Sequence, residues 1–137
     1  MTPAQLKKQR QRLARIIAAW AGRLRLDAWD LEVLWDEEPE DPEALASVSP
    51  SDLYDQAQLR FRRDWMTHSN HELNRIVVHE LMHVLFRDLG NAARSIHVTG
   101  CTTADARALW HDRCNDAEEG LIDRLANRFV ELAGEVE

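Results

Sequence analysis

The chain lacks any apolar run that approaches the length of a membrane span. Basic residues precede apolar ones near the N-terminus, but Arg15, Gly22 and Arg23 interrupt the apolar positions, so no continuous signal-peptide segment is formed. Basic residues are outnumbered by acidic ones, since the chain has 17 Lys and Arg but 24 Asp and Glu, which gives a net charge of −7. We therefore expect a cytoplasmic protein, with neither a membrane nor a nucleic acid as its partner.

Cysteine is equally scarce, since the chain contains only Cys101 and Cys114. Together with His111 they form the pattern C-x9-H-x2-C. A structural zinc site needs four ligands, and no fourth ligand stands at a familiar spacing. We interpret both cysteines as ordinary free thiols, as expected in a reducing compartment.

Glycine and proline number only 5 and 4, which leaves most of the chain to regular elements. A length of 137 residues with 45% hydrophobic residues is enough to bury one core. We therefore expect a single domain over residues 1–137. The pattern of Thr2, Pro3 and Gln5 predicts a capped helix start, and apolar residues at helical spacing extend this helix over 3–25.

Strand patterns follow the first helix. Apolar and acidic residues alternate over 29–36, a weaker pattern covers 44–49, and a clear alternation of apolar and polar residues covers 57–62. The intervening segment 37–43 is polar and contains two prolines, which indicates a loop.

The second half of the chain is predicted to be helical. Ser69 and Glu72 form a capping-box pattern, and Gly90 is expected just beyond a helix end, so we predict a helix over 70–89 and a loop over 91–102. A last helix is expected over 103–133, with an interruption near Asn115 or Gly120. This order predicts an α+β fold in which a small three-stranded sheet is combined with an N-terminal helix and two later helices.

The predicted helix over 70–89 contains the sequence His79-Glu80-Leu-Met-His83. Residues four apart lie on one face of a helix, so both imidazoles can bind one zinc ion. Glu80 is rotated by about 100° from His79, which puts its carboxylate beside the open coordination position. There it can accept a proton from a water molecule that the metal has made acidic. These residues favour a hydrolytic zinc site with Glu80 as the base.

A catalytic zinc site of this kind usually takes a third protein ligand. His97 and His111 are candidates, but neither has a supporting pattern around it. Glu119 is the stronger candidate, because Asp123 follows one turn later and can hydrogen-bond a ligating histidine. Glu118 competes with it, since Glu118 lies nearer the centre of the apolar face of the predicted helix. The residues alone leave this choice open.

The combination of His79-Glu80-x-x-His83 with Glu119-x-x-x-Asp123 resembles the gluzincin branch of zinc metallopeptidases. The resemblance is to the small domains of the ImmA/IrrE and SprT-like types and to minimal phage or prophage metallopeptidases, and it covers most of the chain. It implies a zincin-like fold, a Zn²⁺ cofactor held by His79, His83 and Glu119, and peptide hydrolysis with Glu80 as base. The chain lacks the downstream Tyr or His motif that larger gluzincins use to stabilise the oxyanion, and His111 and His97 are the candidates for that role.

A peptidase of this type is expected to bind an extended protein or peptide substrate at a sheet edge, and we predict that residues 57–63 form that edge strand. Two other functions are considered. A zinc module that binds its target without cutting it would not need Glu80. A metal-dependent ribonuclease with three histidine ligands is disfavoured by the acidic charge and by the glutamate beside His79.

Overall fold

The computed structural model describes residues 1–95 and 103–137. This part of the chain forms an α+β fold with four α-helices and one three-stranded mixed sheet. The sequence predicts this fold class and the three strands, but it predicts three helices instead of four. The elements in chain order are α1 (Pro3–Arg23), β1 (Asp30–Val33), β2 (Ala46–Pro50), β3 (Gln56–Phe61), a 3₁₀ turn (Arg63–Thr67), α2 (Asn70–Leu85), α3 (Arg87–Ser95) and α4 (Ala104–Ala133).

The strands are ordered β1-β3-β2, with β3 parallel to β1 and antiparallel to β2. The prediction that residues 57–63 form an edge strand is therefore wrong, because β3 is paired on both sides. The predicted alternation is confirmed, since Ala57, Leu59 and Phe61 are buried whereas Gln56 and Gln58 are exposed. Alternation reveals which face of a strand is buried, but it carries no information about which strands lie beside it.

Helix α1 begins with the predicted capping box. The Thr2 side chain accepts a bond from the Gln5 backbone, and the Gln5 side chain accepts one from the Thr2 backbone. At its other end the chain reverses through Arg25, whose φ is +60°. Two backbone bonds close this turn, from Leu26 N to Ala21 O (2.8 Å) and from Arg25 N to Gly22 O (3.2 Å). This is the Schellman arrangement, in which glycine usually occupies the left-handed position.

The region around Gly90 differs from the prediction. Helix α2 starts with the expected Ser69 and Glu72 capping box, but it ends at Leu85 instead of residue 89. Phe86, with φ −94° and ψ 6°, breaks the helix and α3 begins at once. Gly90 therefore lies inside α3, and its backbone does not adopt positive φ. The predicted loop over 91–102 is wrong for 91–95, and the rest of it lies outside the described residues.

Helix α4 runs without interruption from Ala104 to Ala133, so the predicted break near Asn115 or Gly120 is wrong. A single glycine costs about 1 kcal/mol in a helix interior. Burial of Ile122 and Val130 on one face of α4 offsets this cost, because a buried Ile or Val side chain contributes about 1.5–3 kcal/mol.

Helix α2 is the centre of the fold, because it contacts α1, β2, α3 and α4. Its buried Asn74 joins three parts of the chain. The side-chain oxygen accepts bonds from Trp20 Nε1 (2.6 Å) and from the Val136 backbone N–H (2.8 Å). A second indole hydrogen bond, from Trp110 Nε1 to the Ala93 carbonyl (2.9 Å), joins α4 to α3.

No helix in the described ranges is both long and apolar enough to cross a membrane.

Candidate metal centre

Helices α2 and α4 meet along a row of polar contacts that we call the polar ladder. Its three pairs are His83–Glu119, His79–Asp123 and Arg75–Asn127. Residue numbers rise by four along α2 while they fall by four along α4, so the two helices are antiparallel at this contact. The i, i+4 spacing puts the three side chains of each helix on one face.

The first two pairs of the polar ladder bring three candidate ligand groups together. His79 Nε2 lies 3.1 Å from Glu119 Oε2, and His83 Nε2 lies 3.0 Å from Glu119 Oε1. The two Nε2 atoms are 3.3 Å apart. Among the described residues, His79, His83 and Glu119 form a group that can offer one ligand atom each to a metal ion.

Each imidazole also has a carboxylate within hydrogen-bond distance of its Nδ1 atom. Asp123 Oδ1 lies 3.2 Å from Nδ1 of His79, and Glu118 Oε1 lies 3.1 Å from Nδ1 of His83. A carboxylate accepts hydrogen bonds, so Asp123 and Glu118 favour a proton on Nδ1, which is the tautomer that leaves Nε2 free to bind a metal ion. Both Nε2 atoms then carry a lone pair that faces the other imidazole and Glu119. This is the arrangement that metal-binding histidines usually show.

These three groups fit a zinc ion in two respects. In the Nδ1–H tautomer two nitrogen lone pairs and a carboxylate, all electron-pair donors, face one point, which a cation would occupy. In addition, ligands of tetrahedral zinc at about 2.0–2.1 Å from the metal lie about 3.3 Å from one another. The separations of 3.0, 3.1 and 3.3 Å among His79, His83 and Glu119 agree with that value. Three protein ligands would leave one coordination position open.

Glu80 lies beside these groups and is almost completely buried, at 7% exposure. Burial raises the pKa of Glu80 to about 8, and the negative charge of Glu119 adds to the rise. The Glu80 carboxyl is thus an acid–base group held out of bulk water. A cation bound by its neighbours would lower this pKa and favour the carboxylate form.

A cleft of about 700 Å³ lies over the candidate ligands. Its walls come from α2, α3, α4 and from β2, which is one edge of the sheet. The residues that flank β2, Leu45 and Ser51, are bonded to the β3 side of the sheet, Leu45 O by Arg62 N–H (2.9 Å) and Ser51 N–H to Gln56 O (2.8 Å). By the alternation of an antiparallel pair, the backbone groups of Ala46 and Val48 point away from β3. Pro50 has the same outward orientation, where its missing N–H removes no bond to β3.

The predicted site residues are distributed as follows. The cleft is lined by all five of the candidates on α2 and at the middle of α4, which are His79, Glu80, His83, Glu118 and Glu119. Glu119 faces the Nε2 atoms of both histidines, whereas Glu118 contacts Nδ1 of His83. His111 is half-buried on α4 and is not among the side chains that line the cleft. It precedes Glu119 by eight residues, which is about 12 Å along a helix axis. His97 and Cys101 lie outside the described residues, and Cys114 is a free, half-buried thiol.

Three side chains close to the candidate ligands are not among the residues predicted from the sequence. Arg75 and Asn127 extend the polar ladder by one turn, and Arg94 of α3 contacts Glu118. The four-residue repeats Arg75-x3-His79-x3-His83 and Glu119-x3-Asp123-x3-Asn127 are visible in the sequence. They could have predicted the ladder, whereas nothing in the sequence connects Arg94 with Glu118.

Comparison with protein-family models, with curated proteins and with solved structures gave no match to this chain. The function is therefore inferred from the geometry of the cleft.

Proposed function

We propose that this protein is a zinc-dependent metallopeptidase of zincin-like, gluzincin type that hydrolyses peptide bonds of a protein or peptide substrate. The observation that carries the proposal is the convergence of His79 Nε2, His83 Nε2 and the Glu119 carboxylate, with the buried carboxyl of Glu80 beside them. A structural zinc site is closed by four ligands and needs no base. A buried acid–base group next to three candidate ligands favours hydrolysis over a purely structural role.

In this mechanism the protein supplies proton transfer and orientation. Zinc, when bound, supplies a Lewis acid and lowers the pKa of water. Glu80 accepts a proton from the attacking water while the new C–O bond forms at the scissile carbonyl carbon. When the C–N bond then breaks, Glu80 donates this proton to the leaving amine. Asp123 and Glu118 hold His79 and His83 with Nε2 directed at the metal position.

The outer edge of β2 is the surface that we propose for an extended substrate. No strand of the described residues pairs with this edge. Outward N–H and C=O groups at Ala46 and Val48 can form main-chain bonds with a peptide, as in other cases of strand addition. β2 and the candidate ligands line the same cleft, so a peptide on this edge would pass Glu80 and Glu119.

The test combines metal analysis with two kinds of variant. We expect one zinc per chain in the purified protein and cleavage of an unfolded protein such as casein. Glu80→Gln should keep its zinc and lose about 100- to 10,000-fold in rate, because water activation is lost. His79→Ala and His83→Ala should lose the metal. Glu131→Gln, an exposed glutamate on α4 paired with Arg128, is the matched control and should behave as wild type.

Wild-type activity in Glu80→Gln on a verified substrate would refute Glu80 as the base. A protein that retains zinc but cleaves neither casein nor a random peptide library would support the alternative function, a zinc module that binds without cutting. Absence of zinc from a correctly folded preparation supplied with zinc would refute both.

A further inference from the structure

The two histidines of the candidate metal centre are supported differently. Asp123, behind His79, is largely exposed, with 64% of its side chain accessible. Glu118, behind His83, is only 16% accessible, and its second oxygen accepts a hydrogen bond from Arg94 of α3. Arg94 is itself oriented by a bond from its Nε to Asn115 Oδ1 (2.9 Å). A chain of contacts thus runs from α3 through Glu118 to His83.

Gly90 provides the space for this ion pair. A Cβ atom at position 90 would lie 2.6 Å from Arg94 Nη1 and 2.8 Å from Glu118 Oε2. Both distances are far shorter than a van der Waals contact. The backbone of Gly90 does not need glycine for its conformation, since its φ is not positive. Glycine is among the poorest helix formers, so its presence within α3 is explained by space and not by backbone geometry.

We propose that Arg94 is a positioning residue for the metal centre. It fixes the carboxylate of Glu118, and Glu118 in turn holds His83 with Nδ1–H directed away from the metal and Nε2 directed towards it. Helix α3 thereby takes part in metal binding although it supplies no ligand, and Gly90 is required because any side chain there would displace the ion pair. The proposal rests on the metal centre of the proposed function.

The chain offers a matched pair of substitutions for the test. Gly90→Ala puts a methyl group against Arg94 and Glu118, whose atoms at this point are the ends of flexible side chains and can move. Gly120→Ala makes the same change inside α4, next to Glu119, where the nearest atom would be 4.0 Å away. Alanine favours the helix in both cases, so both variants should fold with thermal stability equal to or above wild type.

The measurements are zinc affinity, by competition with a chromophoric chelator, and the visible absorption spectrum of the Co²⁺-substituted protein. Gly90→Ala and Arg94→Gln should bind zinc about 10- to 100-fold more weakly than wild type, as expected when a partner of a ligand is lost. Their cobalt spectra should change in band position. Gly120→Ala should match wild type in both measurements. Arg94→Lys, which keeps the positive charge, should recover part of the affinity.

Each outcome separates this proposal from the proposed function. Absence of zinc binding by wild type would remove the metal centre itself. Wild-type zinc binding with affinities of Gly90→Ala and Arg94→Gln within about twofold of it would overturn the role of Arg94 alone. Equal losses of zinc affinity in Gly90→Ala and Gly120→Ala would also overturn the role of Arg94, because the effect would then be the same for any glycine in a helix. If Gly90→Ala failed to fold, the zinc affinities of Arg94→Gln and Arg94→Lys would decide the role of Arg94 alone.

Discussion

Arg25 holds an unfavourable backbone conformation for a residue with a side chain. Its φ of +60° places Cβ close to its own carbonyl group, which costs about 1–2 kcal/mol for an L-residue. Glycine has no such penalty, although it loses more backbone entropy on folding. We predict that Arg25→Gly raises the free energy of unfolding by about 1 kcal/mol, measured by urea denaturation.

The control for this prediction is the same chemical change in a helical position. Arg15 is exposed in the middle of α1, where glycine is unfavourable. Arg15→Gly should lower the free energy of unfolding by about 1 kcal/mol. Changes of the same sign in both variants would show that the turn at Arg25 does not determine the effect.

The choice between Glu118 and Glu119 shows which residues of the site can be assigned from the sequence alone and which cannot. His79, Glu80 and His83 form a local pattern, because their relative positions depend only on helix geometry. Glu118 and Glu119 are adjacent, and their roles depend on how α4 approaches α2. In the structure Glu119 faces both Nε2 atoms, whereas Glu118 faces Nδ1 of His83. The distinction comes from packing between helices, which helical periodicity does not contain.

Among the elements, helix starts were predicted more accurately than helix ends. The capping boxes at Thr2 and Ser69 are confirmed, because each is closed by bonds over three residues. The end of α2 was misplaced since Gly90 was interpreted as a backbone signal. It provides space for the Arg94–Glu118 ion pair instead, and that contact joins residues 24 positions apart in the chain. The central position of β3 was missed for a similar reason, because strand pairing is non-local.

The edge of β2 leads to a prediction about proline. Val48 directs its N–H away from β3, so Val48→Pro removes a donor from the outer edge without breaking a bond to β3. We expect this variant to fold, and its kcat/KM on an extended peptide to fall by about 10-fold, as expected for one lost substrate bond of about 1–1.5 kcal/mol.

Ser47→Pro is the comparison for this edge. Its N–H is directed towards Arg60 of β3, so the substitution should break a bond within the sheet and lower the melting temperature clearly. Unchanged peptidase kinetics in a folded Val48→Pro variant would refute substrate binding along β2.

For the whole molecule, the size of the apolar core indicates how far the free energy of unfolding depends on a bound metal ion. The buried cluster draws apolar residues from α1, α2, α4 and the sheet, and it does not include the candidate ligands. We therefore predict that the metal-free protein remains folded, unlike zinc modules that need the ion to fold. Zinc at about 100 times its dissociation constant should add about 2.7 kcal/mol to the free energy of unfolding.

This prediction is checked by thermal denaturation with EDTA and with added zinc. The far-UV circular dichroism should be that of a folded protein in both, and zinc should raise the melting temperature by several degrees. His83→Ala removes a ligand and should abolish the rise while leaving the EDTA value nearly unchanged. Unfolding of the wild type by EDTA alone would contradict the prediction that the apolar core suffices.

The indole hydrogen bonds described above provide the molecule with built-in spectroscopic probes. The chain has five tryptophans, and two of their indole groups donate to defined acceptors, Trp20 to Asn74 and Trp110 to Ala93. In a ¹H–¹⁵N correlation spectrum each indole N–H gives its own signal. Exchange of the Trp20 proton with D₂O reports on opening of the core, and exchange of the Trp110 proton reports on separation of α3 from α4. The two opening events can thus be timed separately in one ¹⁵N-labelled sample, without an attached dye or spin label.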